Sequence, residues 1–530
     1  MTASAGEPPA GRTWLILAVA SLGVFLGGAE LMVVAIALPT IVADFGGWGD
    51  LARASWIVNA YLLAYVVAMP LAGRAADLWG ARRLYLVALA LFAAGSLAAA
   101  LSRTLGLDAL ILARAVQGFG GGALVPLSLA LAGHLFSGRP RATAFGVEGA
   151  ATFVGMAVGP AYGAWVLLTF ASPIGSGGLV AWQWIFILNV PVAAVAALLL
   201  HLAAGRLETP RAPGRLDLFG ALLLSAALVL GVWAISDSGA AGWTDAGVIG
   251  ALVAGGLLLG GFALRALRQP PGRALVELRL FATPDFAAAN LVSLMTGYTL
   301  ATAIIGGPVF VSQVLSGGPD RSAPALTALT VAIVAGALMG GFVSGRLGER
   351  VTASAGVALT VAGLALATGW GTDADLGRLQ RDLAIFGLGF GLTVSPRATA
   401  ALESAGASAY GMAGAMLQLT RTIGMSVGLA LLTGIAQHRI DALNTILNDQ
   451  AGRDAVMRTL GHPELVGVDP GASLALLALL GEWSRGEAAA VLRLVFVIAL
   501  GVAAVTLLPA IFVGAGGRGP RGRVRTGAAR

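Results

Sequence analysis

The chain has 530 residues, of which 57% are hydrophobic and only 11% are charged, with a formal net charge of +7. A globular domain carries about 25% charged residues, so a soluble surface of this size cannot be covered. Cysteine is absent, which excludes disulfides, thiol catalysis and Cys-based metal sites. The Arg residues lie between apolar runs rather than along one basic face, and that distribution excludes a nucleic-acid surface.

The chain opens on a short polar stretch, MTASAGEPPAGR, which leads directly into an apolar run from Trp14 to about Leu38. That run is longer than the core of a cleaved signal peptide and contains Glu30, so it reads as a first membrane helix. Apolar runs of spanning length continue at about 54–76, 84–101, 106–133, 143–168, 182–204, 217–236, 245–267, 285–314, 324–346, 351–370, 381–401, 410–437 and 487–513. About fourteen spans result, an all-α membrane protein with both termini on one side.

Arginine placement gives an independent reading of orientation. With the N-terminus cytoplasmic, the inside loops carry Arg74, Arg82 and Arg83, then Arg139 and Arg141, then Arg206, Arg211 and Arg215. They continue with Arg265, Arg268, Arg273 and Arg279, with Arg346 and Arg350, with Arg397, and with the tail Arg518, Arg521, Arg523 and Arg525. The opposite loops are acidic or mixed, holding Asp44 and Asp50, Asp237 and Asp245, Asp320 with Arg321, and Asp373 and Asp375 with Arg378. Between the last two spans lies a hydrophilic segment, residues 438–487, outside the cytoplasm on this reading. Leu443, Ile446, Leu447, Val456 and Leu460 recur there at helical spacing, which predicts an amphipathic helix continuing the thirteenth span.

The densest charged cluster between two spans is GRAADLWGARR, with Gly73, Asp77, Gly80, Arg82 and Arg83. Glycine permits a tight turn and close helix approach, and Asp77 can accept from Arg82, Arg83 or a neighbouring helix. The spacing G-x-x-x-D-x-x-G-x-R-R resembles the loop signature of the major facilitator superfamily. A weaker copy, GGFVSGRLGER, follows the tenth span and has Gly345 in place of Asp77. The resemblance implies two six-helix bundles with two extra central helices. The expected division is a tail at 1–13, an N-terminal bundle at 14–205, linker helices at 206–283, a C-terminal bundle at 284–513 and a basic tail at 514–530.

Ionisable groups inside spans are functional candidates by default. Glu30, in LGGAELMVVAIALP, stands where fourteen-span drug:proton antiporters carry Asp, with Met32 and Ala35 replacing polar family residues. Arg114, in ARAVQGFGGG, resembles the R-x-x-x-G signature of the fourth helix, with Gln117 beside it. Gly155, Gly159, Pro160 and Gly163 resemble the antiporter signature of the fifth helix, which Glu148 precedes. Arg421 lies mid-helix in the thirteenth span. Glu30, Arg114, Glu148 and Arg421 are therefore the proton-coupling candidates, with structural hydrogen bonding or interfacial charge as the alternatives. Asn59, Gln117, Gln313 and Gln418 are weaker cavity candidates, and each also fits an ordinary interhelical hydrogen bond.

No nucleotide-binding loop, metal-ligand spacing or catalytic triad pattern is visible, so the expectation is a transporter without cofactor, driven by an ion gradient, and not an enzyme; the resemblance implies a proton gradient. The resemblance implies a monomer in a bacterial inner membrane that exports hydrophobic or amphipathic molecules, lipids or lipophilic drugs, by alternating access. The external segment resembles that of a mycobacterial relative which exports triacylglycerides with a periplasmic lipid-binding lipoprotein, and implies such a partner here. A nutrient-uptake facilitator and a non-transporting scaffold are the alternatives. A scaffold has no need of Glu30, Arg114 and Arg421 within spans.

Overall fold

The computed structural model describes residues 10–45, 53, 55–170, 178–205, 212, 214–270, 272–316, 319–470 and 473–515. Readings that fall on residues 1–9, Asp50, Arg206, Arg211 and Arg518 to Arg525 lie outside the described residues, as do the side chains of Ala35, Asp237, Asp320 and Arg321.

Six helices form the first half: α1 (Ala10–Asp44), α2 (Trp56–Trp79), α3 (Ala81–Leu101), α4 (Leu107–Leu135), α5 (Gly138–Thr169) and α6 (Ala181–Ala204). Two more, α7 (Leu218–Ala241) and α8 (Ala246–Arg268), pair with each other. The second half comprises α9 (Pro284–Gln313), α10 (Pro319–Leu347), α11 (Glu349–Ala367), α12 (Leu376–Leu392), α13 (Val394–Ala405), α14 (Tyr410–Asn448), the short α15 (Gln450–Thr459) and α16 (Leu474–Ala510). Among the described residues, 14 stretches are long and apolar enough to cross a membrane, with α12 and α13 together making one.

The halves repeat one packing plan. In the first, α1 packs on α5, α2 and α3 on α4, and α6 on α3 and α1. In the second, α9 packs on α14, α10 and α11 on α12, and α16 on α9 and α11. Lipid offers no hydrophobic force between helices, so close approach must come from small residues. A Cβ on Gly120 would lie 2.8 Å from Ala88 O, joining α3 and α4, and one on Gly159 would lie 2.6 Å from Ala29 O, joining α1 and α5. In the second half a Cβ on Gly428 would lie 2.7 Å from Tyr298 O, joining α9 and α14. The repeat extends to the loop motifs, where Gly80 (φ +96°) and Gly348 (φ +88°) take the left-handed turn that glycine alone adopts cheaply.

The halves meet along two seams, α2 against α14 and α5 against α10. A Cβ on Gly73 would sit 2.6 Å from Ala415 Cβ, and one on Gly341 would sit 2.7 Å from Ala142 O. Helix α7 packs on both α2 and α14 and so covers the first seam from outside.

The expected continuation of the thirteenth span is present, since α14 is one helix as far as Asn448. Other readings change in detail, and α16 already starts at Leu474 rather than near residue 487. The segment between them folds back on both, burying Val456, Met457, Leu476 and Leu480 with Ile446 and Leu447 against them, while Leu460 is exposed. Arg397, read as a loop charge, stands inside α13 with its side chain buried.

Candidate functional site

Glu30, on α1, and Arg114, on α4, are each only 1% exposed, and Arg114 Nη1 donates to Glu30 Oε1. The other carboxylate oxygen accepts from Asn189 Nδ2 of α6 at 2.8 Å. Arg114 also donates from Nη1 to Gln117 Oε1 at 2.5 Å and from Nε to Ile57 O at 3.2 Å. Gln117, one helical turn on, hands its amide to Ser96 Oγ at 2.7 Å. The Tyr61 ring lies beneath the guanidinium, 4.2 Å from its carbon. Every strong group in this cluster is therefore partnered, as a charge pair deep in a membrane requires.

Glu148 faces a different space. With Arg421, Gln418 and Arg397 it lines a cavity between the halves, walled by Val125, Leu129, Phe145, Val394 and Leu417. Glu148 Oε1 accepts from Ser21 Oγ at 3.3 Å, and Oε2 is buried without a hydrogen-bond partner. Arg421 stacks 5.5 Å from the Phe153 ring, which meets Phe390 edge-on at 5.4 Å across the halves.

The loop motif forms a third site. Asp77, only 3% exposed, accepts from Gly411 N at 2.7 Å and Met412 N at 2.9 Å, the first turn of α14. A carboxylate at a helix N-terminus meets unpaired N–H groups and the positive end of the dipole together. Its partner is thus the neighbouring helix. Arg82 turns instead to His201 O at 3.3 Å, and Arg83 is exposed. Arg74, buried one turn earlier, donates to Gly272 O in the link after α8, and Ala212 N of the link before α7 donates to Asp77 O at 2.7 Å. Ser395 Oγ to Ala142 O at 2.6 Å and the ion pair of Arg141 with Glu403 at 3.4 Å also join the halves here. The loop-motif end of the molecule is closed.

Sequence-selected residues thus separate into groups. Glu30, Arg114 and Gln117 come together; Glu148, Gln418 and Arg421 share the cavity; Gly73 and Asp77 build the seam, and Gly80 makes the turn after α2. Gly155, Gly159 and Gly163 of α5 pack on α1, Gly159 against Ala29 and Gly163 against Val33, and Pro160 lies inside the same helix. Asn59 is half-buried on α2, and Gln313 is exposed at the far end of α9. Sequence reasoning passed over Asn189, Tyr61 and Arg397. The rule that flagged Glu30 applies equally to Asn189, a lone amide in the apolar run WIFILNVPV.

The model of the major facilitator superfamily matches residues 20–429. A triacylglyceride transporter of Mycolicibacterium hassiacum is 34% identical over 446 residues, 81% of this chain and 80% of that protein. Its counterpart in Mycolicibacterium smegmatis is 33% identical over 84% of this chain and 80% of that one. A triacylglyceride transporter of Mycobacterium tuberculosis is 32% identical over 82% of this chain and 84% of that one. Among solved structures, the human organic anion transporter MFSD10 superposes with a TM-score of 0.57 at 16% identity, over 94% of this chain and all (100%) of that one. The proton:xylose symporter XylE superposes at 0.53 and 13% identity, over 92% and 95%. The chain belongs to the major facilitator superfamily and is a multi-pass membrane transporter.

Proposed function

We propose that this transporter is a proton-coupled antiporter that exports hydrophobic or amphipathic molecules, lipids such as triacylglycerides or lipophilic drugs, across a bacterial inner membrane. The observation that carries the coupling is the Glu30–Arg114 pair, both side chains 1% exposed within the spans. A buried ion pair is a costly way to join two helices, and protonating Glu30 would release Arg114 and Asn189 together. The names of the relatives support a lipid cargo, and the apolar cavity walls suit one.

On this reading both termini and the loop-motif end are cytoplasmic, and the described state is closed toward the cytoplasm. Residues 14–205 and 284–513 are the rocking bundles, and 206–283 link them. Glu148 and Arg421 are a second coupling site, forming an ion pair across the halves in another conformation. No cofactor is needed. At about 150 mV one inward proton supplies about 3.5 kcal/mol, enough for several-hundred-fold accumulation of a neutral cargo. The helical projection of α14 and α16 guides acyl chains beyond the bilayer toward a periplasmic lipid-binding lipoprotein, and the transporter works as a monomer.

The test uses purified protein in liposomes with an imposed pH gradient, following a fluorescent triacylglyceride analogue and a cationic dye in parallel. Glu30→Gln should abolish gradient-driven movement of whichever cargo the wild type carries. Undiminished proton-driven transport by this variant refutes the assignment.

A further inference from the structure

The cavity between the halves holds more positive charge than its own residues neutralise. Arg397 and Arg421 both line it, against a single carboxylate, Glu148. Arg397 is 4% exposed, and its bonds go to neutral oxygens: Nε to Thr393 O at 2.9 Å and Nη1 to Thr296 Oγ1 at 2.6 Å. Arg421 Nε is buried without a hydrogen-bond partner. Should Glu148 pair with one guanidinium in some conformation, the other still faces the cavity without an anion. An uncompensated charge at this depth is costly, and in membrane proteins such groups mark ligand paths.

We propose that this cavity binds the anionic head of an amphipathic lipid, a carboxylate or a phosphate, between Arg397 and Arg421. Guanidinium presents a planar fork that matches both oxyanions bidentately. Val125, Leu129, Phe145 and Leu417 supply apolar wall for the chain, and Gln418 and Ser293 supply neutral polar contacts. This rests on the reading of the protein as an exporter of hydrophobic or amphipathic cargo, and narrows it to cargo that includes acidic lipids.

The experiment is equilibrium binding to the purified full-length protein in detergent, without any gradient. Radiolabelled oleate is compared with methyl oleate, which keeps the chain and removes the charge, and lysophosphatidate is run beside them. The wild type should prefer an anion over the neutral ester by about 10- to 100-fold, as expected for hydrogen bonds to a charged group. Whichever of oleate and lysophosphatidate binds tighter names the head group. Arg397→Gln and Arg421→Gln should each cut the preference about tenfold, the double variant should erase it, and Arg421→Lys, which keeps the charge but loses the planar fork, should retain only part of it. Equal binding of oleate, lysophosphatidate and methyl oleate by the wild type overturns the proposal, as does a preference that survives both Gln variants. Binding is measured without a gradient, so a failure of proton coupling in the liposome assay and a failure of anion preference here give different results.

Discussion

The closed end of the molecule depends on Asp77 in a way that can be measured. Its two carboxylate oxygens each accept one backbone N–H of α14, at 2.7 and 2.9 Å. Hydrogen bonds to a charged group contribute about 1.5–3 kcal/mol net, and a carboxylate at a helix N-terminus adds up to about 2 kcal/mol when partly buried. Asp77→Asn keeps one acceptor, removes the charge and aims an amide donor at an N–H donor. A loss of about 2 kcal/mol of the closed state follows, or about 30-fold in the ratio of closed to open. The chain contains no cysteine, so Ala398→Cys, in the cavity wall and 4% exposed, is a reporter without background. In inside-out vesicles, a membrane-impermeant maleimide should label it up to about 30-fold faster when Asp77→Asn is added. An unchanged rate would show that the bond to α14 does not set the closed state.

Two further expectations come from packing. Gly159→Val places a side chain where even a Cβ lies 2.6 Å from Ala29 O and 3.2 Å from Met32 Cβ. Such overpacking costs about 1–3 kcal/mol, so the melting temperature of the purified protein should fall, and an unchanged melt would mean that α5 is free to move off α1. Deleting residues 441–480 removes the apolar cluster around Met457 and Leu480 together with the helix turns that hold it. In the liposome assay, transport of the triacylglyceride analogue should fall well below that of the dye, and equal loss of both would argue against a guiding role for this projection.

What the sequence could show was set by how local each signal is. Spans are local, because about 20 apolar residues cross a bilayer wherever they fall. Gly80 and Gly348 were legible because a turn between two helices needs one positive φ at a fixed place. Glu30 and Arg114 were legible as costly groups in apolar runs, although their pairing, across 84 residues of chain, was not. Arg397 was counted with the inside charges although the run at about 381–401 contains it, because a count of basic residues does not show whether one near a span end faces water or the protein interior. Pro396 lies in the first turn of α13, where its missing N–H costs nothing. The link after α8 also hid its role. Ala274, Leu275 and Val276 make too short an apolar run to register as an element, yet all three are at most 3% exposed, packed into the same core as Ala72, Ala76 and Met412.

The Glu30–Arg114 pair and the cavity occupy separate places, and the contact between α1 and α5 is what joins them. Glu30 and Arg114 are sealed inside the first half, whereas Glu148, Arg397 and Arg421 face the space between the halves. Helix α5 reaches both. Its Glu148 lines the cavity, and about two and three turns further on its Gly155 and Gly159 ride on Phe25 and Ala29 of α1, the latter next to Glu30. On the coupling proposed above, a change in the partners of Glu30 would shift α1 where α5 has no side chain to absorb the shift, because close-packed helices without intervening side chains transmit displacement rather than dissipate it. The small residues of the α5 signature would then serve transmission as well as packing. On that argument Gly159→Val should separate proton movement from cargo movement before it unfolds the protein.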